Sequence, residues 1–302
     1  MAASDPDSRA RASRSGTWAT QAAWAVSGIV LAVILFELLD LRSEEERLGE
    51  LMRGVRRGQL EVVEQALESG LDPGLTTPDG WTALHYASFY GRTELVEVLL
   101  RHGAPVDARH PLGWTPLHRA AEHGSVEVAR LLIGRGAQID ARANGRSPLG
   151  VAISKRHNRL AGYLVEQGAD LGELEPRSGL TPVLYAVMSG DSGLLRKLLA
   201  HGGDPNGPLR NGDSPLHLAA RAGGDEIVRI LLERGAVPNS TNAQGATPLH
   251  FAAESGSKPS VVLLVGAGGD PAIADGAGER PLDRIAPEQR ALLGPVLAVG
   301  GD

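Results

Sequence analysis

Gly245–Ala253 reads G-A-T-P-L-H-F-A-A, and versions of this stretch recur along most of the chain. Close copies are G-W-T-A-L-H-Y-A-S from Gly80, G-W-T-P-L-H-R-A-A from Gly113 and G-D-S-P-L-H-L-A-A from Gly212. Looser ones begin at Gly145 (G-R-S-P-L-G-V-A-I), Gly179 (G-L-T-P-V-L-Y-A-V) and Gly278 (G-E-R-P-L-D-R-I-A). The Thr position falls at 82, 115, 147, 181, 214, 247 and 280, so successive steps are 33, 32, 34, 33, 33 and 33 residues. Self-similarity at such a fixed period settles the architecture before any local reading does.

Each part of the unit has a physical reason. A Thr or Ser oxygen can cap a helix, and the Pro beside it is preset for the first helical position. Leu and small Ala residues then let two helices approach closely. A second apolar run follows, as in Leu95-Val96-Glu97-Val98-Leu99-Leu100, and ends at a Gly 21 residues after the Thr position. That Gly, at 103, 136, 168, 202, 235 and 268, stands where a helix C-cap wants one. Helix, tight turn, helix and a finger of roughly 12 residues closely resemble the ankyrin repeat. The resemblance implies an all-α solenoid of about eight stacked helix–turn–helix units starting near 49, 82, 115, 147, 181, 214, 247 and 280. The first and last are caps, because one face of a terminal repeat meets water.

Composition narrows the function. A net charge of −6 argues against a general nucleic-acid binder, which wants a basic face. Without cysteine, disulfides, thiolate metal sites and cysteine nucleophiles are excluded. Lys155, Lys197 and Lys258 are the only lysines, and with abundant Ala and Gly this hints at a GC-rich bacterial genome.

Ahead of the array, residues 1–15 read as a disordered basic tail with Arg9, Arg11 and Arg14. Gly16–Phe36 follows, 21 residues without a charge and long enough to cross a bilayer as a helix. No small-residue cleavage site follows it, so a single uncleaved signal-anchor helix is expected over 16–41, with an acidic stalk over 42–48 before the repeats at 49–302. The tail's arginines place it in the cytoplasm and the repeats on the extracytoplasmic side of the membrane.

His85, His118, His217 and His250 hold one place in four repeats. The ankyrin resemblance assigns them a structural role, bonding backbone between neighbouring turns. Stacked helices about 10 Å apart would keep them from converging on a metal. No nucleophile, phosphate-binding loop or metal-ligand spacing accompanies them, so no enzyme activity, cofactor or metal is expected.

By the same resemblance, the concave face is formed by the residue before each Thr and the two ending each first helix. Trp81, Trp114, Phe89 and Tyr90 fall there, four of the chain's eleven aromatics, with Glu122, His123 and Lys155. Aromatic anchors are favoured at interfaces. The expectation is an apolar patch of several hundred Å² on two adjacent repeats, rimmed by Arg56, Arg57, Arg119 and Lys155. The implied function is a membrane-anchored, non-catalytic adaptor or scaffold holding a protein partner that carries an acidic, apolar-centred segment. The alternative is a spacer in an envelope assembly without a specific ligand.

The unit at Gly145–Leu180 departs from its neighbours. It has Gly150 in place of His and Arg156 where others have a turn glycine, and its finger, Ala169–Gly179, is longer by one residue. Stacking is expected to be poorest there.

Overall fold

The computed structural model describes residues 44–172 and 179–298. Helices come in pairs at the expected period. They are α1 (44–57) and α2 (Leu60–Glu68), α3 (Ala83–Phe89) and α4 (Thr93–Arg101), α5 (Pro116–His123) and α6 (Val126–Gly134), and α7 (Pro148–Ser154) and α8 (Asn158–Glu166). After the break come α9 (Pro182–Ser189) and α10 (Ser192–Ala200), α11 (Pro215–Arg221) and α12 (Asp225–Glu233), and α13 (Pro248–Ser255) and α14 (Lys258–Gly266). The last unit replaces its first helix by 3-10 turns at Pro281–Arg284 and Pro287–Gln289, then ends in α15 (Arg290–Ala298). Pro287 sits where a continuing helix would need a backbone donor.

Within each pair, the first helix is short and lined with small residues, and the second is amphipathic. In α3, Ala83, Leu84 and Ala87 are buried. In α4, Leu95, Val96, Val98 and Leu99 are buried while Glu94 and Glu97 face water. Neighbouring first helices pack on one another, most extensively α3 on α5 and α11 on α13. Fully buried leucines, among them Leu84, Leu117, Leu149, Leu216 and Leu249, hold the place two residues after the Thr position and make one column through the stack. Each contributes about 2 kcal/mol by leaving water.

The fingers are tied by a second ladder. The Asp107 carboxylate accepts from the Gln138 amide, Asp140 from Asp170, Asn206 from Val237 and Asn239 from Asp270. Each bond joins one finger to the next, so a unit is completed only by its neighbour.

At the N-terminal end, α1 runs through the expected boundary at residue 49. From residue 44 the acidic stalk is part of this helix, because Leu48, Leu51, Met52 and Val55 form one apolar stripe against the core. No helix among the described residues is long and apolar enough to cross a membrane. The basic tail and the span expected over Gly16–Phe36 lie outside the described residues.

Candidate functional site

The repeat histidines are buried stitches. The His85 imidazole is 1% exposed, and its Nε2 donates to the Trp114 carbonyl of the next repeat at 3.0 Å. A carbonyl only accepts, so the proton lies on Nε2 and Nδ1 must accept, as it does from the Thr82 amide at 3.3 Å. His118 reaches the Arg146 carbonyl at 3.1 Å, His217 that of Ala246 at 2.9 Å, and His250 that of Glu279 at 3.0 Å. Burial opposes a charge on each ring and pushes the His85 pKa down to about 4, with His118, His217 and His250 lowered for the same reason. Burial keeps these rings neutral, and their bonds to the next repeat fix them in place.

Two stitches are missing, both in the middle. Gly150 occupies the histidine place in α7 and Leu184 occupies it in α9, and neither has a side chain that can reach a carbonyl of the following finger. Between α7 and α9 lies a cleft of about 30 Å³ lined by Arg146, Gly150, Ile153, Ser154, Leu180, Thr181, Pro182 and Tyr185. First-helix packing is sparsest at this junction. The turn that follows α7 is left-handed at a non-glycine residue, Arg156, whose φ is 61°. Its counterparts Gly91, Gly124, Gly190, Gly223 and Gly256 adopt φ between 63° and 89°. The turn is therefore kept rather than rebuilt, at a cost of about 1–2 kcal/mol for the side chain it carries.

The expected aromatic patch is assembled, but it is not open. The Trp81 ring stacks on His110 with centroids 3.9 Å apart. The Arg119 guanidinium lies over Trp81 at 4.7 Å and over Phe89 at 3.9 Å. It also donates to the Glu122 carboxylate at 2.5 Å, and Lys155 approaches the other oxygen of Glu122 at 3.7 Å. Phe89 and Tyr90 meet edge to face, and Tyr90, 37% exposed, is the one aromatic of the four that reaches well into solvent. Trp114 is half-buried beside His118, and His123 packs over the Gly91 turn. Arg119 is thus no rim residue. It fills the space between Trp81 and Phe89, because it lies four residues after Thr115, on the helix face that meets Phe89 of the preceding repeat. The apolar surface expected there is covered by the chain's own cation.

A second cluster of this kind lies near the other end. The Arg221 guanidinium sits 4.1 Å over the Phe251 ring and pairs at 3.0 Å with Asp213, which is buried. Burial pushes the Asp213 carboxyl up, but hydrogen bonds from Asn242, Asn211 and Arg221 outweigh it and leave the pKa below its ordinary value. Arg284 bonds Asp275 and lies within 3.6 Å of Glu254. Sequence reasoning missed His110, Phe251 and Arg284 as participants, and also Tyr86, whose ring lies under the Arg56 guanidinium at 4.7 Å and whose hydroxyl accepts from it at 3.1 Å. The signal was available: the residue seven places after one Thr position meets the residue four places after the next. Phe89–Arg119, Arg221–Phe251 and Glu254–Arg284 all obey it. In the middle the same register pairs Ser154 with Tyr185 and Met188 with Leu218, with no charge to cover the ring or the thioether. Met188 is 62% exposed, the most exposed of the large apolar residues described.

Among the described residues no cluster of His, Asp and Glu is placed to hold a metal ion. What the arrangement offers is a concave face closed by arginines at both ends and apolar in the middle. Comparison with known proteins agrees with this architecture. Family models for ankyrin repeats match residues 51–143 and 183–275 (three copies) and 149–199 (many copies). The chain is similar to the ankyrin repeat domain of Bcl-3, described as a unique member of the IkappaB protein family. That match has 28% identity and a TM-score of 0.62, and it covers 72% of this chain and 97% of that one. No curated protein matches the chain. With the repeat period, the capped helix pairs and the histidine stitches all in place, the chain belongs to the ankyrin-repeat family.

Proposed function

We propose that this protein is a non-catalytic adaptor that holds a protein partner on the concave face of its repeats, near a membrane to which residues 16–36 tether it. Ankyrin repeats are a protein-interaction module, and the fold alone names no partner. The observation that carries the reading is the uncovered apolar middle of the concave face, where Tyr185 is half-buried and Met188 is largely exposed. The buried histidines support a role without acid–base chemistry, since their ring nitrogens are used for stitching. A photo-crosslinking residue at Met188 should trap the partner, while one at Val262 on the outer helix α14 should not. Trapping only from Val262, or from neither position, would favour the spacer reading.

The membrane tether rests on the uncharged run at 16–36, and the extracytoplasmic placement of the repeats rests on Arg9, Arg11 and Arg14 before it. Alkaline extraction should leave the full chain in the membrane pellet and release a chain lacking residues 1–43. A fused reporter active only outside the cytoplasm should be active at the C-terminus; activity of a cytoplasmic reporter there instead reverses the orientation.

A further inference from the structure

The outer face of the array changes character at its C-terminal end. Along the second helices, the residue fifteen places after one Thr position meets the residue twelve places after the next, as Arg196 meets Glu226 in an ion pair at 2.6 Å. The other junctions fill these two places with charge, glycine or proline, for example Glu97 with Glu127, Arg130 with Arg159 and Arg229 with Pro259. The last junction alone puts two large apolar side chains in them, Val262 and Leu292. They are 47% and 48% exposed.

The composition of two helices accounts for this. Apart from Lys258 at its start, α14 carries no charged residue, and Val262, Leu263 and Val265 leave it apolar towards solvent as well as towards the core. A helix apolar all round is normally buried. In α15 the one charge is Arg290, and Ala291, Leu292, Pro295 and Ala298 are exposed. A terminal repeat needs a polar outer face to stay soluble. The N-terminal cap has one, because α1 turns Glu45, Glu46, Glu50, Arg53, Arg56 and Arg57 to water. The C-terminal cap lacks it.

The shape and charge of this face fit a second copy of itself. α14 packs between α12 and α15, so Val262 has an apolar feature on either side. On one side is an open groove of about 390 Å³ lined by Leu232, Leu263, Gly266 and Ala267, with Arg229 and Glu233 at its edge. On the other side stands Leu292. A two-fold axis near Val262 sets Leu292 of each copy towards the groove of the other, the self-complementary geometry of an isologous contact. The centre of the patch carries no charge among the described residues, so two chains of net charge −6 meet there without facing like groups. The rim carries both signs: Arg229 is paired with Glu226 and Glu233, and Lys258, Arg290 and Glu288 are exposed. A rotated copy presents the same mixture, so basic groups can face acidic ones, whereas an anionic lipid surface is better met by a uniformly basic rim.

We propose that the outer face of α12, α14 and α15 is a homodimer interface, in which two copies of the chain meet through Val262, Leu292 and the groove beside Leu263. The interface lies on the second helices and is independent of the concave-face reading.

Sedimentation equilibrium of the full chain in detergent should show reversible association to a dimer across a dilution series. Val262→Glu and Leu292→Glu should each raise the dissociation constant at least about tenfold. Both side chains are half-exposed, so the melting temperature should stay unchanged. The chain has no cysteine, so a bismaleimide on Val262→Cys has only a second copy to link. A dimer product is expected from Val262→Cys and none from Val62→Cys, exposed on α2 at the other end of the array. The mass of that product tells it from a partner trapped at Met188, so failure of either reading is seen separately. A chain monomeric across the dilution series overturns the interface, whether lipid or another protein then covers the face. Association unchanged by both substitutions to Glu, or equal linking from Val62→Cys, overturns it too.

Discussion

The two flanks of the array and its middle are built on the same period but joined differently. At units two and three, and again at six and seven, a buried histidine crosses to the next finger's carbonyl. Arginines also cover the concave aromatics on those flanks. At units four and five both devices are absent: Gly150 and Leu184 replace histidine, a cleft opens, and Arg156 holds a left-handed turn. The difference teaches that a repeat protein can keep its fold while one junction lacks the histidine tie between first helices, the second helices there staying joined by Asn158 to Asp191 and Lys197 to Glu166. Since each unit contacts only its neighbours, such a junction weakens the array locally.

Acid should separate flanks from middle with the largest effect. An unfolded histidine titrates near 6.5, whereas folded His85 is lowered to about 4 by burial. Between those values the unfolded chain binds more protons, so stability is fully present above pH 6.5 and falls as pH drops towards 4. His85 alone accounts for about 3 kcal/mol across that window. His118, His217 and His250 act in the same direction. Urea midpoints measured across this range should fall steadily, and hydrogen exchange should rise first in the flanks. A flat profile would mean the rings are not buried neutral stitches.

Removing one stitch is the next effect in size. His217→Ala deletes a fully buried ring and strands the Ala246 carbonyl and the Ser214 amide. A loss of about 2–4 kcal/mol is expected in chemical denaturation. A loss well under 1 kcal/mol would show that flanks and middle are held alike.

How much of this contrast was legible in the sequence depends on the distance over which residues meet. The period, the Thr and Ser caps and the place of His85, His118, His217 and His250 repeat within each unit, so a single chain displays them several times over. Gly150 and Arg156 stand out for the same reason, as departures from a visible rule. The closing of the aromatic patch could not be read that way. Arg119 meets Trp81 and Phe89 across a repeat boundary, and neither pair forms a pattern inside one unit. Reading Arg119 as a rim followed from treating each repeat's free positions separately. The +7 to +4 register between neighbours is what places it over Phe89, and Trp81, the residue before Thr82, lies on the same guanidinium. The N-terminal boundary was blurred by composition: Glu44, Glu45 and Glu46 look like a solvated stalk, yet Leu48 ties that segment into α1.

The smallest expected effect sharpens the comparison at one residue. Arg156→Gly gives the turn after α7 the residue its counterparts have, relieving a φ of 61°. Glycine's greater freedom in the unfolded chain offsets part of the gain, leaving about 0.5–1 kcal/mol of added stability. Thermal melts of the variant should shift upward, and an unchanged or lower midpoint would show that Arg156 makes a compensating contact in the folded chain.

The most direct test of the weak-middle account is native-state hydrogen exchange across two homologous segments of the array. Thr115–Ile133 and Ser147–Val165 hold the same helix pair, one with the His118 stitch and one with Gly150 in its place. Local opening free energy follows local packing and hydrogen bonding. The account predicts lower protection of the buried amides in Ser147–Val165. Equal or higher protection there would contradict it.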